Sequence, residues 1–147
     1  MNATSKDAVY VDEPWLLMHW DGEHGCLFAE WKGFATSAEF RGALLKALDA
    51  IREKRGAGFV TDTRKLELVS DDDQRWLVST WPTLAIAAGL KRLAIVMAKT
   101  GLIKMAIQDM MKAGPNPVSS GAGAVDPAFQ SRTFDSVADA LSWVTAP

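Results

Sequence analysis

Side chains for redox, phenolic and imidazole chemistry are scarce: one cysteine, one tyrosine and two histidines among 147 residues. A single thiol, Cys26, excludes an internal disulfide and fits a reducing cytosol. No apolar run approaches the roughly 18 residues of a membrane span. The opening stretch Met1 to Ala8 is polar and has no apolar core of the kind a signal peptide needs. Residues 1–8 are therefore expected to be a flexible tail on a cytoplasmic protein. A basic excess is also lacking. The net charge of -2 and pI near 5.6 argue against a nucleic-acid binder, which normally carries a basic face.

The few reactive groups do not assemble into a familiar centre. His19, His24 and Cys26 fall on one hairpin, where alternate residues face opposite sides, and a zinc site needs three or four ligands. A Cys–His nucleophile pair also wants an orienting third group. No metal and no catalytic residue is expected. A hydrolase or transferase using Cys26 and His19 is the weakest of three readings. Gly121-Ala122-Gly123-Ala124 follows no strand and has no Lys-Ser/Thr after it, so it is not a phosphate loop and implies no cofactor.

What is present is an ordinary globular composition, 48% hydrophobic and 23% charged, with six tryptophans. The length suits one domain with a real core, residues 9–147. Val9 to Val11 reads as an extended lead-in. Trp15 to Trp20 and Cys26 to Lys32 read as strands joined by the turn Asp21 to Gly25. An even-numbered loop would set His19 opposite Cys26, Leu17 opposite Phe28 and Trp15 opposite Glu30. Thr36 and Glu39 form a capping box ahead of Phe40, Leu44, Ala47, Leu48 and Ile51 at helical spacing, with Gly56 suited to the exit. Phe59 to Asp62 reads as a buried strand. Ser70 is the N-cap of a helix opening with Asp71, Asp72 and Asp73. Pro82 ends that helix or opens a second, closed by Gly89. Arg92 to Ala98 reads as a central parallel strand, Gly101 to Lys112 as an apolar helix, residues 114–128 as a mobile loop, Gln130 to Phe134 as the last strand. Ser136 caps the final helix. The class is α/β: a mixed five-stranded sheet, an N-terminal hairpin followed by alternating α and β elements, with flanking helices.

The exit from Phe59–Asp62 is the natural place for a site. A strand emptying into the polar loop Asp62-Thr63-Arg64-Lys65 and then a helix start is where open α/β sheets bind ligands. Asp62, Arg64, Lys65 and Ser70 are the polar candidates. Arg64 has Asp62 or the Asp71–Asp73 cluster as a pairing partner. Trp76 and Trp81 are candidates for the rim of an apolar pocket. Met105 and Met111 widen the apolar face of their helix beyond one buried stripe. That excess points to a homodimer contact or to an apolar pocket shared with Trp76 or Trp81.

In order and spacing, Glu30-Trp31-Lys32-Gly33-Phe34, Asp62-Thr63-Arg64-Lys65, Ser70 through Trp76, Trp81-Pro82, Gly89 through Val96, Phe134-Asp135-Ser136 and Ala140-Leu141-Ser142-Trp143 resemble the SpoIIAA-like branch of the STAS domains. The resemblance covers roughly residues 9 to 145. It implies a non-enzymatic regulatory or ligand-binding module built on a small mixed sheet, with an unidentified protein or small apolar ligand as partner. Related folds include CRAL-TRIO-type lipid binders, so a carrier of a small apolar molecule is the alternative. In regulatory STAS proteins a serine at a helix start is phosphorylated within an Asp-Ser-Ser/Thr-Gly-Leu pattern. Ser70 stands in the corresponding region here. The Gly-Leu is absent, and three aspartates oppose an added phosphate.

Overall fold

Asp21 closes the first long hairpin through its own side chain. Its carboxylate accepts hydrogen bonds from the backbone N–H groups of Glu23 and His24, both at 3.0 Å, and its carbonyl accepts from Gly25 N–H at 2.7 Å. Gly25 takes φ of 69°, which a side chain would resist. Strand β2 (Leu16–Asp21) therefore runs on to Asp21, and β3 (Cys26–Trp31) begins straight after a short loop. The register differs from expectation: Asp21 pairs with Cys26, His19 with Phe28 and Leu17 with Glu30. The two-residue shift keeps every side chain on its expected face. It sets His19 beside the Phe28 ring, 5.6 Å between centroids, instead of opposite the thiol.

The sheet has six strands, not five. The computed structural model describes residues 8–67, 69–97 and 129–146, and the additional strand is β1 (Val9–Glu13), antiparallel to β2. Asp12, Glu13 and Pro14 hide it from a reading based on apolar alternation. Acidic residues, a proline and the irregularity between Val9 and Val11 are instead the features that blunt an edge strand against further pairing. The remaining strands are β4 (Gly58–Asp62), β5 (Arg92–Val96) and β6 (Gln130–Phe134). The spatial order is β1-β2-β3-β4-β5-β6, antiparallel through β3 and parallel from β3 to β6. Among the described residues four helices flank the sheet. The expected helix Gly101 to Lys112, with Met105 and Met111, and the expected loop 114–128 lie outside the described residues.

Helix α1 (Ser37–Lys54) starts as the capping box requires: Glu39 N–H donates to Thr36 Oγ1, and Thr36 N–H donates to Glu39 Oε1. At its exit the left-handed position is Arg55, φ 52°, not Gly56. Gly56 serves another need. A β-carbon there would lie 2.9 Å from the Trp20 ring, so the tryptophan packs where only glycine leaves room. Helix α2 (Asp71–Ser79) is capped by Ser70, and α3 (Trp81–Ala88) opens with Pro82 in its first turn and closes at Gly89. Helix α4 (Val137–Val144) is capped by Ser136.

Two crossovers that step the same way along the sheet place their helices on one face when both are right-handed. That is the arrangement observed for β3-α1-β4 and β4-α2-α3-β5. Leu16, Met18, Leu27, Ala29, Trp31 and Phe59 bury one face of the sheet under α1 and α3. The opposite face is covered by α4, which packs Ala140 and Val144 on Cys26, Val60, Ala94 and Val96. Strand β4 lies between the two cores, and all five of its residues are buried.

Candidate functional site

All four buried polar or charged residues among those described belong to β4, its exit loop or the start of α2: Thr61, Asp62, Thr63 and Asp73. Burying such groups is costly unless each is hydrogen-bonded. Each of them is. Thr61 Oγ1 accepts from Trp31 Nε1 at 2.8 Å. Thr63 donates through both N–H and Oγ1 to the carbonyl of Val96, at 2.7 and 2.8 Å, tying the loop to the end of β5. The loop is thus rigidly seated. Because β3 to β6 lie in chain order, the winding never reverses among the described strands. The crevice that a reversal opens is not formed between them, and the described residues at the exit of β4 present a surface.

Two aspartate–arginine pairs dominate that surface. Asp62 resolves the pairing choice for Arg64. Its Oδ1 accepts from Arg64 Nε at 2.9 Å and from Arg64 N–H at 3.1 Å, and its Oδ2 accepts from Nη2 at 2.7 Å. The carboxylate side chain is 6% exposed and the arginine 46%. These hydrogen bonds, and then the charges of Asp62 and Glu30, strengthen the hold of Arg64 on its proton against its slight desolvation. The fork fixes one edge of the guanidinium and leaves Nη1 without an acceptor among the described residues. Lys65, next in the chain, is exposed.

The second pair joins two helix starts. Asp73 Oδ1 accepts from Ser37 Oγ at 2.7 Å and from Arg41 Nε at 2.6 Å, while Asp73 N–H donates to the cap hydroxyl of Ser70 at 3.1 Å. Burial alone would raise the pKa of Asp73. Hydrogen bonds from Ser37, Arg41 and Ser70, with the charge of Arg41, outweigh it and hold the carboxyl below its ordinary value. Arg41 also lies over the ring of Trp76, 5.3 Å from its centroid. From the sequence the three aspartates complement the helix dipole and offer Arg64 a partner, but nothing there singles out Asp73, Ser37 or Arg41. The Ser70-x-x-Asp73 spacing was the available local signal, but the partners on α1 are 32 and 36 positions away.

Asp62, Arg64, Lys65 and Ser70 accordingly gather at one end of the sheet. Trp76 is half-buried against α1, and Trp81 is buried in the main core, its Nε1 donating to Leu44 O at 3.0 Å and its ring 6.2 Å from Phe59. Cys26 is buried on the far face, where desolvation and then the charge of Asp21 push its thiol up to about 12. Among the described residues no group of three or more His, Cys, Asp or Glu side chains is placed to hold a metal ion, and no helix is long and apolar enough to cross a membrane. In comparisons with known proteins, no family model matches the chain, and no curated protein matches it.

Proposed function

We propose that this chain is a non-enzymatic binding or regulatory module of the STAS type, engaging a partner protein at the exit of β4. The observation that carries the reading is the Asp62–Arg64 fork. A buried carboxylate orients a half-exposed arginine at the carboxyl end of a parallel strand, beside an exposed lysine. Holding a cation in one geometry lowers the ordering cost of binding an acidic group. The mixed sheet with helices on both faces is compatible with the STAS resemblance. Ser70 acts in this reading as the cap of α2, beside the cation, rather than as a switch.

The test is charge reversal. Arg64→Glu together with Lys65→Glu should abolish association with partners recovered from the source cell; stranding Asp62 lowers the unfolding midpoint, so circular dichroism at the assay temperature verifies that the variant is folded. Retained association would remove the reading. Native mass spectrometry of the freshly purified chain addresses the carrier alternative: a co-purifying apolar molecule would favour it. Thiol labelling addresses the enzyme alternative. With its pKa near 12, Cys26 should label slowly in the native state and rapidly in denaturant.

A further inference from the structure

Arg132 differs from every other arginine of the described residues in how it is held. Arg41, Arg52, Arg64 and Arg75 pair with aspartates, and Arg92 donates to the carbonyls of Trp143 and Ala146 at the end of α4. Arg55 is the exposed residue that ends α1. Arg132, on β6, makes no hydrogen bond or ion pair among the described residues, yet its guanidinium is positioned. Its central carbon lies 5.3 Å from the Phe134 ring centroid and 5.4 Å from that of Trp143, and the two rings are 5.7 Å apart. The three groups form a nearly equilateral triangle. Arg92 lies over the same Trp143 ring at 5.5 Å. The two rings position the cation, and its N–H groups have no acceptor among the described residues.

We propose that this corner binds the carboxylate of an acidic segment of a partner protein, with an apolar side chain beside that carboxylate resting on the Phe134 and Trp143 rings. An arginine fork matches a planar carboxylate through two parallel N–H···O bonds. Stacking on aromatic rings pre-orders the long side chain, so less freedom is lost on binding. A single negative charge suits the corner better than a phosphate dianion. Asp135 follows Phe134 directly, and Asp139 lies one helical turn before Trp143 on α4, so added negative charge meets repulsion. The site is separate from the β4 exit: β5 lies between β4 and β6 in the sheet, and the proposal stands without the reading above.

The experiment is an NMR titration of the arginine Nε–Hε signals of the intact chain. The probes are a capped Leu-Glu-Leu peptide, its Leu-Gln-Leu counterpart and inorganic phosphate. The Arg132 signal should move with the glutamate peptide and stay still with the glutamine peptide. Arg132→Gln should weaken binding about tenfold or more, the usual scale for a charge-assisted pair. Arg132→Lys should recover only part of it, since an ammonium lacks the fork, and Arg55→Gln should change nothing. An immobile Arg132 signal, wild-type affinity in Arg132→Gln, or tighter binding of phosphate than of the glutamate peptide would each overturn the proposal. Arg132 is exposed and removes no buried contact, so both variants should fold; an unchanged amide spectrum away from β6 and α4 verifies this.

Discussion

Asp62–Arg64 and Asp73–Arg41 are chemically the same pair and sit at the same end of the sheet, but they do different things. Both carboxylates are buried, at 6% and 5% exposure, and both arginines reach solvent, at 46% and 36%. The first pair joins residues two apart in one loop. Losing it would free a surface side chain and let water reach Asp62. The second joins α1 to α2 across 32 residues, is supported by Ser37, Ser70 and the ring of Trp76, and fixes how two helices meet. A strong contact between near neighbours shapes a surface, whereas the same contact between distant elements shapes the fold. The difference lies in what each pair orders: the first fixes one turn at the end of a strand, the second the approach of two helices that are far apart in the chain.

The sharpest way to break the comparison is Asp73→Ala. It strands Arg41, removes the acceptor of Ser37 and should cost about 2–4 kcal/mol of stability in urea unfolding. Asp73→Asn keeps some hydrogen bonds and should cost less. The pH dependence has a definite sign. The folded pKa of Asp73 lies below its ordinary 3.8, so its contribution is fully present above that value and is lost as pH falls through the lowered one. Asp73→Asn should flatten this part of the acid unfolding curve.

Arg41→Gln comes next, at about 1–2 kcal/mol, with Arg41→Lys recovering little because an ammonium cannot both pair with Asp73 and lie flat on Trp76. Ser70→Ala should cost about 0.5–2 kcal/mol and Ser70→Asp less, as for a lost helix cap. The smallest effect should come from Arg75→Gln. The Arg75–Asp72 pair is exposed on both sides and within one helix, so its loss should shift stability by no more than about 0.5 kcal/mol.

Local chemistry was legible in the sequence, and contacts between distant segments were not. The Thr36–Glu39 box, the Ser70 and Ser136 caps, the Pro82 helix start and the Asp62–Arg64 pair all depend on residues within four positions of one another. The box and the two serine caps stand where the sequence placed them, and of the two choices that the sequence leaves open, Pro82 opens the second helix and Arg64 pairs with Asp62. The Arg41–Asp73 node depends on how two helices approach, which spacing along the chain does not encode. Strand β1 was hidden because an edge strand is selected to look unlike a strand. The hairpin register slipped by two because the side chain of Asp21, not the glycines alone, sets the loop. Gly56 was read as a helix stop, and its actual reason, the Trp20 ring packed against it, lies 36 positions back in the chain.

The central claim, that one pair builds the fold and the other orders a surface side chain, is tested most directly by two double-mutant cycles in urea unfolding. One uses Asp73→Asn with Arg41→Gln, the other Asp62→Asn with Arg64→Gln. A coupling of about 1.5–3 kcal/mol for Asp73–Arg41 and less than about 1 kcal/mol for Asp62–Arg64 is the expected result. Equal couplings, or a larger one for Asp62–Arg64, would contradict it.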